Sequence, residues 1–165
     1  QAVIDTVVGQ RGQAVDLSVQ AQRLAAFKAR ARRERREAAA LLYHWCRYCD
    51  DTVDSAASEG ERKARVVDLI RYTEAAFSAQ SAPDIELPPA FQALRVVAVR
   101  YGVPKRYALD LLQAMSADSE GIRYRTLPQL IHYCYGAAGT VGLMMSHVMG
   151  ISDERALPPP PAGRR

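Results

Sequence analysis

Three aspartates stand close together at Asp50, Asp51 and Asp54, in the sequence CDDTVD. On a helix Asp50 and Asp54 lie one turn apart on one face, where neighbouring carboxylates repel each other unless a cation neutralises them. Carboxylate oxygens suit Mg²⁺, which takes one or two carboxylates, keeps several waters and binds substrate phosphates. The spacing favours a magnesium clamp for a diphosphate, and a solvated acidic patch at a helix end is the alternative.

Two further polar side chains precede the acids at helical spacing. Tyr43 lies seven residues before Asp50 and Arg47 three residues before it, so both can share the face of Asp50 and Asp54. A guanidinium matches phosphate oxygens in a forked geometry. A phenol can donate to a phosphate or stabilise a carbocation through its ring. We interpret the grouping as a phosphate-binding face rather than plain helix surface.

The elements that must position these side chains are helices. Residues 37–57 predict a helix that ends at Ser58 and Gly60. Its apolar stripe consists of Leu42, Trp45, Cys49 and Val53. Further helices are predicted over residues 61–79, 90–101, 105–117 and 127–149, with a Pro-rich loop at residues 81–89. No confident strand pair is visible, so we expect an all-α fold, an antiparallel helical bundle.

An earlier helix is predicted to start from Ser18, and it carries the basic run KARARRERRE at residues 28–37. A solvated, ion-paired helix face is the simplest interpretation of such a run. A membrane-surface patch and a nucleic-acid contact are the alternatives. No aromatic residue interleaves the run, which weakens the nucleic-acid alternative, and we expect no nucleic-acid partner.

Composition excludes several classes of protein. The 165 residues hold 22 Lys and Arg against 18 Asp and Glu, a net charge of +4, which is only mildly basic. An odd count of three cysteines argues against a disulfide-stapled secreted domain. The pair Cys46-x-x-Cys49 is best explained by packing. No apolar run approaches the ~20 residues of a membrane span, and no signal-peptide pattern is visible, so we expect a cytoplasmic protein.

Two long blocks resemble the squalene/phytoene synthase family of isoprenoid synthases. LLYHWCRYCDDTVD, residues 41–54, resembles the family's first aspartate-rich motif, LYAWCRxxDDxxD. RYRTLPQLIHYCYGAAGTVGLMMSHVMG, residues 123–150, is similar to the family segment RYxTxxxLxxYxYxVAGxVGLMM. The resemblance runs from about residue 36 to residue 157 with both blocks in the family's order. It implies a helical isoprenoid synthase domain over residues 21–150, between an uncertain segment 1–20 and a Pro-rich, disordered tail 151–165.

The resemblance also implies site residues. Asp50, Asp51 and Asp54 resemble the acids that bind Mg²⁺, with Mn²⁺ as an alternative, and hold one substrate diphosphate. Residues resembling the family's catalytic positions are Tyr43, Arg47 and Tyr133, and those resembling positions beside the prenyl chain are Gly139, Gly142 and Met145. Glycine lets helix and hydrocarbon approach closely. Met144 and Met145 suit a flexible apolar wall, and a plain core role is the alternative.

The reaction implied is the head-to-head condensation of two molecules of geranylgeranyl diphosphate to phytoene in carotenoid biosynthesis. A squalene, dehydrosqualene or hopanoid-pathway synthase is the alternative within the family. The lipid substrate implies loose contact with a membrane surface.

The sequence also departs from the family pattern. The family's second aspartate-rich motif has no counterpart before the sequence ends, and its N-terminal SKSF signature is replaced by LSVQAQRLAAF. We therefore expect half of a larger fold, with apolar faces exposed and available for self-association. A non-catalytic family member acting in binding or assembly, and a basic-helix module acting through Lys28 to Arg36, are the hypotheses from other classes.

Overall fold

The computed structural model describes residues 17–78, 85–119 and 123–151. Every regular element in these ranges is helical, which confirms the all-α expectation. The predictions for residues 1–16 and for the Pro-rich tail from residue 152 onward lie outside the described residues. Contacts divide the chain into two units, one up to Arg36 and the other from Glu37 onward. The predicted domain boundary near residue 20 stays a prediction.

Helix α1 is a single helix of 38 residues, Leu17–Asp54. The sequence predicts separate helical stretches on either side of residue 37, but they form one continuous helix because no helix-breaking residue stands between them. The predicted stop at Ser58 is wrong, because Ser58 begins the next helix, α2, Glu59–Phe77. Its hydroxyl accepts from the Glu61 backbone N–H at 3.2 Å, while the Glu61 carboxylate accepts from Ala57 N–H at 2.8 Å. This is a capping arrangement, and Gly60 lies inside the new helix.

Helices α3, Pro89–Tyr101, and α4, Lys105–Ser119, follow the predicted pattern closely. Pro89 occupies the first turn of α3, where a missing N–H costs nothing. Gly102 ends α3 in the left-handed region at φ 63°, which a residue with a side chain rarely adopts. The chain then turns back immediately into α4.

The predicted fifth helix, residues 127–149, is interrupted. Helix α5 covers Leu127–Cys134, a π-helical turn covers Tyr135–Gly139, and α6 covers Thr140–Met149. Thr126 and Gln129 form a reciprocal capping box at the start, and Gly150 closes α6 at φ 91°. The π turn is a feature that hydrophobic periodicity did not indicate.

The core of the second unit lies between α4 and its neighbours. Helix α4 packs against α2, α6 and the π turn, and α3 packs against α2. The end of α1 joins this core through Trp45, whose ring meets Phe91 of α3 edge-on at a centroid distance of 6.4 Å. The largest fully buried side chains include Trp45, Phe91, Leu42, Leu69, Leu94, Leu112 and Met144.

Helix α5 is different, because none of its residues is buried. Leu127, Leu130 and Ile131 all expose much of their side chains. The described part of the second unit therefore carries an apolar helix face that its own core does not cover, as the sequence predicted.

Candidate functional site

The acidic cluster lies at the exposed C-terminal end of α1. Arg47 donates to both neighbouring carboxylates, from Nη1 to Asp50 Oδ2 at 2.9 Å and from Nη2 to Asp51 Oδ1 at 2.8 Å. The three side chains are 56%, 47% and 58% exposed in the order Arg47, Asp50, Asp51. Ion pairs this exposed contribute little to stability, so the guanidinium and both carboxylates can be drawn to other charged groups at low cost.

Tyr43 and Asp54 complete the cluster on the same helix, and both side chains are exposed. Arg65 of α2 anchors this end of α1, because its guanidinium donates to the Thr52 carbonyl and the Ser55 hydroxyl, each at 2.6 Å. The site residues are therefore open to solvent, while the backbone that carries them is held against α2.

The donor chemistry of the cluster fits a hard cation such as Mg²⁺. All three acids offer carboxylate oxygens, and Asp50 and Asp54 are one helical turn apart. Among the described residues, however, no group of three or more His, Cys, Asp or Glu side chains converges into a metal-holding cage. The residues suit a Mg²⁺ ion that keeps its waters and takes ligands from a substrate, rather than a preformed protein cage.

The neighbouring cysteines do not extend this site. Cys49 is buried and Cys46 half-buried on the inner side of α1. Burial raises the pKa of the Cys46 thiol to about 12 and raises the pKa of Cys49 as well. Both thiols therefore stay protonated, which agrees with the predicted packing role.

Tyr133 belongs to a second cluster, beside a cavity of about 400 Å³ between α4 and the α5–π run. The cavity is lined by Arg106, Asp110, Gln113, Ala114, Ala117, Tyr124, His132, Tyr133, Tyr135 and Gly136. The rings of Tyr124 and Tyr133 lie 4.8 Å apart at 31°. The lining thus combines phenol rings with both small and polar side chains of α4.

A hydrogen bond inside this cavity was missed at the level of sequence. The Tyr135 hydroxyl donates to Asp110 Oδ2 at 3.2 Å. Burial and the nearby Asp110 carboxylate raise the pKa of Tyr135 to about 12. The bond ties the first residue of the π turn to the middle of α4.

Close backbone approach also holds the π turn against α4. A Cβ added at Gly136 would lie 2.7 Å from the Ala114 Cβ, so the two helices touch where neither has a large side chain. The Thr140 backbone N–H donates to the Tyr135 carbonyl five residues earlier, which defines the π turn. The Thr140 hydroxyl donates to the Gly136 carbonyl at 2.7 Å, giving that carbonyl a partner.

The π turn changes which residues share a face. In a regular α-helix Met145, twelve residues after Tyr133, would point about 120° away from it. The one extra residue in the π turn reduces that angle to roughly 20° and brings Gly142 to roughly 80° from Tyr133. By ideal helix geometry Met145 thus turns toward the side of Tyr133, but none of Gly139, Gly142 and Met145 lines the cavity beside Tyr133.

The glycines of this face differ in their surroundings. A Cβ at Gly142 would meet nothing within 4 Å, and one at Gly139 would make only ordinary contact with the Tyr135 ring at 3.4 Å. Internal packing therefore requires glycine at neither position. Met144 is wholly buried and Met145 only partly, so Met144 is a core residue while Met145 reaches the edge of the core.

No helix in the described part of the chain combines the length and apolar character needed to cross a bilayer.

The sequence profile of the squalene/phytoene synthase family matches residues 21–160. A phytoene synthase of Pseudescherichia vulneris is 42% identical over 130 residues, which cover 74% of this chain and 41% of the relative. A 15-cis-phytoene synthase of a Paracoccus species is 37% identical over 128 residues, with 74% and 41% covered. A hydroxysqualene synthase of Rhodopseudomonas palustris is 34% identical over 111 residues, with 67% and 36% covered. No solved structure matches the chain significantly.

The match thus takes in both clusters, the acidic end of α1 and the cavity beside Tyr133. The chain spans about two fifths of the length of the phytoene synthases that it matches, 41% of each. With most of its own length matched by the family profile, the chain belongs to the squalene/phytoene synthase family.

Proposed function

We propose that this chain carries the first diphosphate-binding half of a prenyltransferase of the phytoene synthase type, which joins two geranylgeranyl diphosphates head to head. The proposal extends to this chain the activity for which the related phytoene synthases are named. The observation that carries it is the exposed cluster at the end of α1, where Arg47 holds two carboxylates in weak, solvent-accessible ion pairs.

The chemistry follows from what these side chains can do. Arg47 can release one or both carboxylates and present its two-pronged guanidinium to phosphate oxygens, a stronger acceptor set. Asp50 and Asp54 would then hold Mg²⁺, which when bound would neutralise the diphosphate as a leaving group. Tyr43, exposed on the same helix, can donate its O–H to a phosphate oxygen or offer its ring to the developing allylic cation.

The cavity beside Tyr133 suits the hydrocarbon part of the substrate. Its lining includes phenol rings and the small Ala114 and Gly136, together with the polar side chains of Arg106, Asp110, Gln113 and His132. Aromatic and apolar walls exclude water from a reactive cation. We propose that Tyr133, Gly139, Gly142 and Met145 flank one prenyl chain in the complete active site.

One relative favours a second product class. The similarity to a hydroxysqualene synthase supports a squalene-type or hopanoid-pathway reaction on shorter prenyl diphosphates as the alternative. In our proposal both reactions would use the aspartate cluster at the end of α1, and the length of the prenyl pocket would decide the product.

The proposal includes a cytoplasmic location at a membrane surface, because substrate and product both carry long hydrocarbon chains. It also includes self-association through α5, whose side chains include exposed Leu127, Leu130 and Ile131. Contiguous exposed apolar surface of this kind marks contact sites. Sedimentation of the chain as a monomer at all concentrations would contradict the self-association proposal.

The experiment that tests the main proposal is calorimetric binding of geranylgeranyl diphosphate with and without Mg²⁺. We expect Mg²⁺-dependent binding that weakens by roughly 100-fold or more in the Asp50→Asn/Asp54→Asn variant, since the two lost charge-assisted contacts are worth about 1.5–3 kcal/mol each. The matched control is Glu59→Gln/Asp68→Asn, which removes two exposed carboxylates from α2.

Two results would overturn the proposal. One is binding that needs no Mg²⁺ and survives the double aspartate variant. The other is equal loss in the control variant, which would mean that net charge, and not this cluster, governs affinity. A parallel assay for phytoene distinguishes a chain that only binds substrate from one that also turns it over, and so addresses the non-catalytic alternative.

A further inference from the structure

The N-terminal part of α1, residues 19–36, concentrates the positive charge of the protein; we call it the basic helix. It holds seven basic residues against one acid, a net charge of +6, while the whole chain carries +4 and the remainder is therefore −2. The basic residues are Arg23, Lys28, Arg30, Arg32, Arg33, Arg35 and Arg36. All but Ala31 and Glu34 in this segment are exposed.

The basic helix also exposes a short apolar stripe. Leu24 is 53% exposed and Phe27 is 68% exposed. At roughly 100° per residue they lie about 60° apart, with Arg30 beside Phe27 and with Lys28 and Arg32 beside Leu24. Long basic side chains that flank an apolar stripe can keep their charges in a polar layer while their stems cover apolar surface.

The basic residues of this segment outnumber its acids seven to one. Arg30 pairs with Glu34 at 3.0 Å, and that carboxylate is the one acid among residues 19–36. The acidic cluster at Asp50 and Asp54 belongs to the other unit. The basic helix is therefore complementary to an extended anionic surface rather than to a single anion.

We propose that the basic helix lies on an anionic lipid surface, with Leu24 and Phe27 inserted among the acyl chains and the flanking cations on the headgroups. Basic helices with an apolar face bind at the membrane interface in this way. Nucleic acid fits less well, because single-strand binding relies on successive aromatic platforms and residues 19–36 offer one aromatic ring. The inference rests on the membrane contact in the proposed function and names the segment that makes it, but it needs neither Mg²⁺ nor a diphosphate.

The charge test is flotation of the full chain with vesicles of phosphatidylcholine alone and of phosphatidylcholine mixed with phosphatidylglycerol. We expect binding to the anionic vesicles only, falling steeply as salt is raised. Substituting K28Q/R32Q/R35Q should weaken that binding on the order of 100-fold, as removal of three basic residues from the surface predicts.

The matched charge control is R71Q/R100Q/K105Q, which makes the same change in net charge on the second unit. It should leave vesicle binding within about a factor of 3, because these residues lie outside the basic helix and small effects of this size are normal for distant charges. An equal loss in both triple variants would overturn the proposal, since net charge alone would then explain the binding.

The insertion test compares Phe27→Ser with Val99→Ser, two exposed apolar residues whose loss removes no core contact. Val99 is 81% exposed on α3. We expect Phe27→Ser to weaken binding to anionic vesicles roughly 10-fold and Val99→Ser to leave it unchanged. Binding that ignores Phe27 would overturn the insertion of this side chain.

Two comparison ligands, neutral vesicles and duplex DNA, test whether the basic helix prefers anionic lipid. Equal binding to neutral vesicles, or tighter binding to duplex DNA than to anionic vesicles at the same salt, would overturn the lipid assignment. Binding of geranylgeranyl diphosphate, measured on the same variants, should be unchanged. The failure of the proposed function and the failure of this inference are therefore seen in separate assays.

Discussion

Replacing Gly136 by alanine should destabilise the second unit by forcing α4 and the π turn apart. The new Cβ would lie 2.7 Å from the Ala114 Cβ and 3.3 Å from the Asp110 carbonyl oxygen. Carbon atoms in good contact are about 3.5–4.0 Å apart, so the two helices must separate by roughly 1 Å. Both neighbours are backbone or Cβ atoms, which cannot rotate away.

The magnitude comes from two opposed effects. Overpacking a well-filled contact costs about 1–3 kcal/mol. Replacing glycine by alanine inside a helix returns up to about 1 kcal/mol. We therefore expect Gly136→Ala to lower the free energy of unfolding by about 1–2 kcal/mol. The same displacement should lengthen the 3.2 Å bond between Tyr135 and Asp110, so the cavity beside Tyr133 should change shape.

The assay is urea unfolding followed by circular dichroism, arranged as a double-mutant cycle with Ala114→Gly. Removing the Ala114 Cβ makes room for the new methyl group, so the two changes should couple favourably by about 1 kcal/mol or more. The control is Gly142→Ala, where a Cβ would meet nothing within 4 Å and the helix should gain stability. The reasoning is refuted if Gly136→Ala is as stable as Gly142→Ala, or if Ala114→Gly gives it no relief.

Three shorter predictions concern titration, thiol chemistry and the anchor of the acidic cluster. The pKa of Tyr135 is raised from 10 to about 12 in the folded state, so between these pH values the phenol loses its proton in the unfolded chain but not in the folded one. The free energy of unfolding should therefore fall as pH rises from about 10 to 12. Tyr135→Phe should reduce that fall in thermal melts at alkaline pH, and an unchanged profile would contradict the prediction. In the native chain Cys134, which is exposed, should react quickly with a thiol reagent near pH 8, while Cys46 and Cys49 should react only after unfolding; three fast thiols would contradict the structure. Arg65→Met should lower the free energy of unfolding by about 1–3 kcal/mol, because the Thr52 carbonyl and the Ser55 hydroxyl at the end of α1 lose a charged donor. A change below 0.5 kcal/mol, about the error of a denaturant titration, would refute the anchoring role.

Helix positions were predictable where local chemistry decides them. The bounds of α3 and α4 lie close to the predicted residues 90–101 and 105–117, although Pro89, which the prediction assigned to the Pro-rich loop, is the first residue of α3. The stop at Ser58 failed because serine suits the start of a helix as well as a break, and only the reciprocal contacts with Glu61 distinguish the two.

The residues of the candidate site fall into two similar groups, those that local sequence predicts and those that only helix packing brings together. Asp50, Asp51 and Asp54, with Tyr43 and Arg47, could be grouped from sequence because one helix carries all five at fixed spacing, and their roles in binding stay predictions. Asp110 and Tyr135 were missed as a pair, because they lie on different elements and meet only when α4 packs on the π turn. The roles of Tyr133, Gly139, Gly142 and Met145 stay predictions that substrate binding must test.

By itself the sequence determined the helical class, the family and the acidic cluster, because these depend on residues close together in the chain. Tertiary structure decided the rest. The contact of Gly136 with Ala114 and the bond of Tyr135 to Asp110 accompany the π turn, whose one extra residue changes the helical phase between Tyr133 and the residues after it. No local pattern encodes these two contacts, since each joins residues far apart in the chain that meet only when α4 packs on the π turn.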